Sequence, residues 1–176
     1  MDTQYQQVLI GLGSNLDSPI AQIQSAITQI QGLKSIRLLK QSPLYESLPQ
    51  GPQDQNNFIN AVILIESMLS PSALLEQLQR IEKGQGRIKY RHWGERVIDL
   101  DIIFYGQQEI RETIPDLTVP HPQALLRDFV VIPALDIVPD WQLPDASLLK
   151  DHAKSCLNHQ LKPIKPFLLE SQQTNS

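Results

Sequence analysis

Apolar residues in this chain form short strand-like runs and two helical stripes, and the order in which they alternate leaves few folds open. Val8-Leu9-Ile10-Gly11-Leu12 is a β-rich run ended by Gly13-Ser14-Asn15, a buried strand followed by a turn. Ser18-Pro19 reads as an N-cap with proline at the first helical position. Ile20, Ile23, Ile27 and Ile30 follow at helical spacing, with Gly32 as the C-cap. A second strand is expected over 36–42, with extended chain continuing through Leu44-Tyr45-Glu46. Residues 48–57 carry prolines, a glycine and several amides and read as a long loop. A third strand is expected over 58–65. Ser70-Pro71 repeats the helix-start signal, and Leu74, Leu75, Leu78 and Ile81 form an apolar stripe that stops near Gly84. Residues 84–96 form a basic, glycine-bearing loop before a strand over 97–104. Leu117-Thr118-Val119 is a short extended piece ahead of Pro120-His121-Pro122. A last helix is expected over 129–137, kinked or shortened by Pro133.

The order β-α-β-β-α-β points to an α+β fold of the ferredoxin-like kind, an antiparallel sheet with helices packed on one face. No internal repeat or second domain is visible. The domain is expected over 7–150, with 151–176 a polar C-terminal extension that is partly disordered. At 176 residues the chain can bury a real core. Its formal net charge of -4 argues against general polyanion binding, so any phosphate site needs locally clustered cations. Cys156 is the only cysteine, which excludes an intrachain disulfide and a cysteine-cluster zinc site. The first residues lack the order of a signal peptide, and no apolar run approaches the roughly 20 residues that span a bilayer. The expectation is a cytoplasmic monomer with small-molecule substrates, engaging neither membrane nor nucleic acid.

The chemistry concentrates in Val97-Ile98-Asp99-Leu100-Asp101-Ile102-Ile103. Side chains alternate along a strand, so Asp99 and Asp101 share one face, with Cβ atoms about 6–7 Å apart, while Ile98, Leu100 and Ile102 enter the core. Two adjacent carboxylates repel unless a cation or proton lies between them, and such oxygen ligands suit Mg²⁺. An Asp-x-Asp alone also suits the solvated face of an amphipathic strand. Arg87, Lys89, Arg91, His92 and Arg96 precede the pair, with Glu95 the only acid between Gly84 and Arg96. A basic loop running onto a carboxylate pair has the parts of a phosphate clamp: cations hold polyphosphate, and carboxylates hold the metal that bridges its oxygens. The loop is expected to move without ligands and to order over a filled site.

The run from His92 through Trp93, Gly94, Glu95, Arg96 and Val97 to Ile103 resembles the signature of the 6-hydroxymethyl-7,8-dihydropterin pyrophosphokinase family. Further segments resemble that family in the same order: Gly13-Ser14-Asn15-Leu16, Gly51-Pro52-Gln53-Asp54-Gln55, Phe58-Ile59-Asn60-Ala61, Gln79-Arg80-Ile81-Glu82 and Leu117-Thr118-Val119-Pro120-His121. The likeness spans roughly residues 7 to 150. It implies an enzyme that moves pyrophosphate from ATP to a reduced pterin and releases AMP, with two Mg²⁺ ions held by Asp99 and Asp101. It implies catalytic roles for Arg87, Arg96, Asp99 and Asp101, and contacts to ATP from Gln79, Glu82, Arg87, Lys89, Trp93, Arg96, Ile102, Thr118, His121 and Arg127. For the pterin it implies Ser47, Leu48, Gln50, Phe58, Asn60, Trp93, Asp99 and Phe129, with Phe58 and Phe129 on the two ring faces.

Four positions depart from the family pattern. Phe58 stands where tyrosine is common, which keeps stacking but loses a hydroxyl. Ser47-Leu48 replaces a more usual Thr-Pro, and Lys89 offers a point charge where arginine offers a fork. The loop from Arg87 to Trp93 is also a residue shorter than in some members. The residues alone leave rivals open. A basic loop with Tyr90 and Trp93 on an α+β sheet suits RNA. A kinase transferring only the terminal phosphate would carry much the same parts, and a non-catalytic ferredoxin-like regulatory module would need neither the carboxylates nor the arginines.

Overall fold

The computed structural model describes residues 4–86 and 95–164. In chain order the elements are β1 (Gln6–Ser14), α1 (Pro19–Gln31), β2 (Ile36–Gln41), β3 (Tyr45–Ser47), β4 (Phe58–Ser67), α2 (Pro71–Gly84), β5 (Asp99–Tyr105), β6 (Ile110–Thr113), β7 (Asp116–Val119), α3 (Asp128–Ile137) and β8 (Lys162–Pro163). The main sheet runs β5-β1-β4-β3-β8, and β2 also pairs with β4. All its pairings are antiparallel. Counting β2 and β3 as one interrupted strand, the order is fourth, first, third, second, that of a ferredoxin-like sheet. Ser42 marks the interruption: its N–H donates to the Val62 carbonyl at 2.8 Å, and its Oγ accepts from the Val62 N–H at 2.9 Å.

Alternation along the strands divides the core in two. Val8, Ile10 and Leu12 of β1, Ala61, Ile63 and Ile65 of β4, and Leu100 and Ile102 of β5 point to one face. There they meet Ile23, Ala26, Ile27 and Ile30 of α1 and Leu74, Leu78 and Ile81 of α2. Leu9, Val62, Leu64, Ile103 and Phe104 point to the other face. That face is not open, as helices on one side alone would leave it. α3 covers it with Val130, Val131, Ala134 and Ile137. A β-bulge permits both Ile103 and Phe104 to face α3. Ile10 pairs with Ile102 and Leu9 with Phe104, so Ile103 is the extra residue and the parity of β5 changes there.

Local signals met mixed outcomes. Ser70 caps α2 by accepting from the Ala73 N–H at 3.2 Å. Ser18 occupies the equivalent place before α1, but its backbone is left-handed (φ 63) and its side chain makes no capping hydrogen bond. Ile20 extends the α1 stripe in sequence but is 39% exposed, because the helix has only begun to meet the sheet there. α3 runs ten residues through Pro133 without stopping.

The boundary expected at 150 is not where packing ends. Leu149 is 1% exposed within the α3-side core, and residues 149–155 form a 3₁₀ turn against α3. Lys162–Pro163 then adds β8 to the edge of β3. The second half of the extension, 165–176, lies outside the described residues. Leu149→Ala should therefore cost about 2–5 kcal/mol of stability, the usual range for a core leucine. Urea unfolding reads this directly, and a loss near zero would show that the segment does not contribute to the core.

Candidate active site

The register of β1 between its neighbours builds the floor of the site. Gly13 lies opposite Asp99 on one side and Asn60 on the other, and Gly11 lies opposite Asp101 and Val62. Directly paired residues share a face, so both aspartates and Asn60 project on the α3 side. Between them β1 presents only hydrogen. A methyl group at Gly13 would sit 3.5 Å from the Asn60 Oδ1 and 3.7 Å from the Phe58 ring, and one at Gly11 would sit 3.2 Å from Ile103. The glycines keep a hollow open where larger residues would close it.

That hollow, about 130 Å³, is lined by Gly11, Gly13, Ser47, Leu48, Gln50, Phe58, Asn60, Arg96, Asp99, Asp101, Arg127 and Phe129, among others. Every described residue expected to touch the pterin is on this wall. Asn60 is 3% exposed, and its Nδ2 donates to the Ser47 Oγ at 2.8 Å, a pair that fixes the amide plane. Leu48 and Gln50 come from the loop after β3, while Arg127 and Phe129 come from the start of α3.

A second hollow of about 240 Å³ is lined by Leu75, Leu100, Asp101, Ile102, Asp116, Leu117, Thr118, His121 and Pro122. It brings together three of the expected nucleotide residues, Ile102, Thr118 and His121. Asp101 belongs to both hollows. Gln79 is exposed on α2 and lines neither. Glu82 lines neither as well: it is 4% exposed and accepts from the Leu100 N–H at 3.0 Å, anchoring β5 between its two aspartates. Arg87, Lys89 and Trp93, together with Arg91 and His92, lie outside the described residues.

The cations that are described are held close to the carboxylates. Arg96 is 8% exposed, with its Nε 3.7 Å from the Asp99 Oδ1. Its backbone is clamped by Asn15, whose N–H donates to the Arg96 carbonyl at 3.0 Å and whose Oδ1 accepts from the Arg96 N–H at 2.8 Å. The Arg127 Nη2 donates to the Gln123 Oε1 at 3.0 Å, and its guanidinium lies 5.6 Å from the Phe129 ring centre. Its buried Nε has no hydrogen-bond partner among the described residues. Burial lowers the Arg127 pKa, while Asp101 and Asp99 act in the opposite sense. A buried, partnerless guanidinium N–H beside a cleft suits an incoming anion.

Sequence reasoning missed Gly11 and Gly13. Two glycines spaced by two within a strand put both gaps on one face, a signal that was readable. It also missed Gln123, whose Oε1 accepts from both Arg127 and Gln50. Only the fold brings those three together.

Burial, and then the charge of Arg127, hold the His121 imidazole down to about 4. Its Nδ1 accepts from the Gln123 N–H at 3.3 Å, which leaves Nε2–H to donate while the ring is neutral. A histidine whose folded pKa lies below the unfolded value costs nothing at neutral pH. It costs stability as pH falls from about 6.5, because the unfolded chain takes up the proton first. The effect is complete near pH 4, at up to about 3 kcal/mol from this group. Urea unfolding at pH 7 and pH 4 should therefore show His121→Gln losing less stability than the parent chain. Equal losses would contradict this assignment.

Residues 9–139 match the family model described as 7,8-dihydro-6-hydroxymethylpterin-pyrophosphokinase. A relative from Haemophilus influenzae named 2-amino-4-hydroxy-6-hydroxymethyldihydropteridine pyrophosphokinase is 42% identical over 157 residues, covering 89% of this chain and 97% of that one. A relative of the same name from Pseudomonas aeruginosa is 43% identical over 151 residues, covering 86% and 92%. Among solved structures, wild-type HPPK-DHPS of Plasmodium falciparum with pteroate superposes with a TM-score of 0.69 at 12% identity. That match covers 86% of this chain and 42% of that one, and supports the fold alone. The matched span includes the glycine floor, the carboxylate strand and both hollows, and the chain belongs to the 7,8-dihydro-6-hydroxymethylpterin-pyrophosphokinase family.

Proposed function

We propose that this chain transfers a pyrophosphate group from ATP to the hydroxymethyl oxygen of 6-hydroxymethyl-7,8-dihydropterin and releases AMP, a step of folate biosynthesis. The observation that carries the reading is that Asp101 forms part of both hollows. One hollow has the amide and two aromatic rings that a flat heterocycle needs, the other has three of the residues expected to meet the nucleotide, and a carboxylate is common to both.

In this reading the pterin occupies the first hollow. Asn60, pre-oriented by Ser47, hydrogen-bonds its edge. Phe58 and Phe129 hold its plane, and Leu48 and Gln50 bound the rim. ATP occupies the second hollow against Ile102, Thr118 and His121, with its phosphates turned toward Arg96 and Arg127. Arg87, Lys89 and Trp93 complete the phosphate clamp in the proposal. Glu82 acts at one remove, by holding Leu100 and so the spacing of Asp99 and Asp101. Positioning of this kind makes a bimolecular encounter behave as an intramolecular one.

Asp99 and Asp101 fit Mg²⁺ that arrives with ATP, and two ions are proposed. Among the described residues no three His, Cys, Asp or Glu side chains gather as a metal cage. The described residues offer a pair of carboxylates, and phosphate and water would supply further coordination, the usual habit of Mg²⁺. Bound there, Mg²⁺ would neutralise phosphate charge and acidify a nearby hydroxyl. Apart from Asp99 and Asp101, no described residue lining the first hollow is a base at neutral pH. The pterin hydroxyl attacks the β-phosphorus, the bond from that phosphorus to the α–β bridging oxygen breaks, and AMP carries the bridging oxygen away. The hydroxyl proton passes to solvent.

Asp99→Ala and Asp101→Ala should each lower turnover by several orders of magnitude, since charge stabilisation by metal is worth several kcal/mol. Both variants should fold, because each relieves the repulsion between paired carboxylates. Circular dichroism beside a steady-state assay separates the two effects, and near-parental turnover in both variants would exclude the metal role.

ATP labelled on the γ-phosphate separates this reaction from ordinary phosphoryl transfer. Chromatography should show label on the pterin with one AMP per product. Label on the pterin with ADP would mean that only the terminal phosphate moves.

A further inference from the structure

The two walls of the first hollow belong to distant parts of the chain, and one short segment near residue 159 is bonded to both. The rim loop after β3 provides Leu48. The start of α3 provides Arg127 and Phe129. The Leu48 N–H donates to the His159 carbonyl at 2.8 Å. The His159 N–H donates to the Asp128 Oδ2 at 2.9 Å, and its ring Nδ1 lies 2.8 Å from the Asp128 Oδ1. Nδ1 also lies 3.1 Å from the Leu157 carbonyl. Both ring partners are acceptors, so Nδ1 carries the proton. The face of the contact is aromatic as well: the His159 ring meets Phe129 edge-on, with centroids 5.0 Å apart and planes at 79°.

The links continue on either side. The Leu157 N–H donates to the Leu126 carbonyl at 2.8 Å, and Leu157 bridges to Arg127. β8 pairs with Tyr45 and Glu46, and the Ile164 N–H donates to the Leu44 carbonyl at 2.8 Å. Residues 157–164 thus run as a strap from the α3 wall to the β3 wall, with His159 at the crossing and only 8% exposed. None of these residues lines either hollow, and the span matched to the family model ends at residue 139.

We propose that His159 is a positioning residue for the pterin: it sets the Phe129 ring and the Leu48 rim at the separation that grips the heterocycle. Side chains held by packing and by a hydrogen-bonded backing keep a site near its productive geometry, and a loosened backing weakens binding without touching the ligand. Leu157 holds Arg127, whereas His159 itself bonds to Leu48 and Asp128 and packs on Phe129, so loss of its side chain acts on pterin affinity and leaves the nucleotide hollow as it was. This rests on the assignment of the first hollow to the pterin.

The test compares His159→Ala, His159→Asn and Asn60→Ala. Asparagine keeps a donor close to the Nδ1 position but removes the ring, so it carries the test if the alanine variant fails to fold. Steady-state KM values for the pterin and for ATP, and kcat at saturation, are measured with the full chain. His159→Ala should raise the pterin KM about tenfold and His159→Asn about threefold, as expected from losing an aromatic edge contact with or without the hydrogen bond. The ATP KM and kcat should stay within about twofold, the split expected when ground-state and transition-state binding weaken together. A purely structural role would lower the melting temperature and leave the pterin KM of the folded enzyme unchanged, and that result overturns the proposal. So would equal increases in both KM values. Asn60→Ala distinguishes the two levels of inference. If it weakens pterin binding while the His159 variants do not, the strap idea fails and the hollow keeps its assignment. If neither residue affects the pterin, the assignment of the hollow fails first.

Discussion

Everything functional in this fold depends on β1 lying between β5 and β4 in one register. Gly13 is opposite both Asp99 and Asn60, and Gly11 is opposite Asp101. A slip of one residue would pair Leu12 with an aspartate, which either turns Leu12 into the cleft or buries the aspartates among Ile23, Leu74 and Leu78. Two buried carboxylates without a partner would cost far more than the slip could recover. The hydrophobic pattern that stabilises the sheet is therefore the same pattern that aims the chemistry. Glu82 reinforces it from beneath through Leu100, in the middle of the carboxylate strand.

The α3 face is divided along its length. Leu9, Val62, Leu64 and Phe104 lie under α3 and the following turn, forming a core of their own. Beyond the first turn of α3 the same strands present Gly11, Gly13, Asn60, Asp99 and Asp101. The bulge at Ile103 is where one regime gives way to the other: it turns Phe104 into the core beneath Trp141 and leaves Asp101 in the cleft. Phe129 and Arg127 stand at the edge of this transition, which is why the start of α3 can serve the site while its body serves stability.

Much of this was legible in the chain. The strand and helix order gave the sheet topology, because period changes and the two Ser-Pro steps are local signals. The facing of Asp99 and Asp101 followed from alternation alone. The third helix on the far face was read as a helix but not as a cover, since its apolar residues show no clear one-sided stripe: Val130, Val131, Ala134 and Ile137 are all buried, as is Pro133. Ser18 looked the same as Ser70 in sequence, yet only Ser70 caps, because backbone conformation decides whether the hydroxyl reaches the free N–H groups. The packed role of residues 149–164 was not legible. Their composition is polar, and apart from Leu149, Ala153 and Cys156 on the α3-side core their attachment uses backbone groups and an Asp–His pair, which composition cannot register. The grouping of Gln50, Gln123 and Arg127 arises only when a rim loop and a helix start meet in space.

The two faces also differ in what they ask of the protein. The face under α1 and α2 gathers most of the buried aliphatic residues and can supply most of the hydrophobic stabilisation. The other face spends part of its area on polar groups whose burial is unfavourable unless they are bonded. Asn60 answers this with Ser47, Arg96 with its clamped backbone and nearby Asp99, and Tyr45 with Asp136. Burial, and then Asp136, push the Tyr45 hydroxyl up to about 12, so it stays a neutral donor at neutral pH. Trp141 and Arg127 are the exceptions, with a buried Nε1 and a buried Nε that no described group satisfies. An unsatisfied donor of that kind is a cost in the free protein, on the order of 1–3 kcal/mol, that an anionic ligand removes on arrival. Of these two donors the Arg127 Nε lies beside the first hollow, where phosphate is proposed to enter, and binding energy there goes partly to repairing a defect the free protein carries.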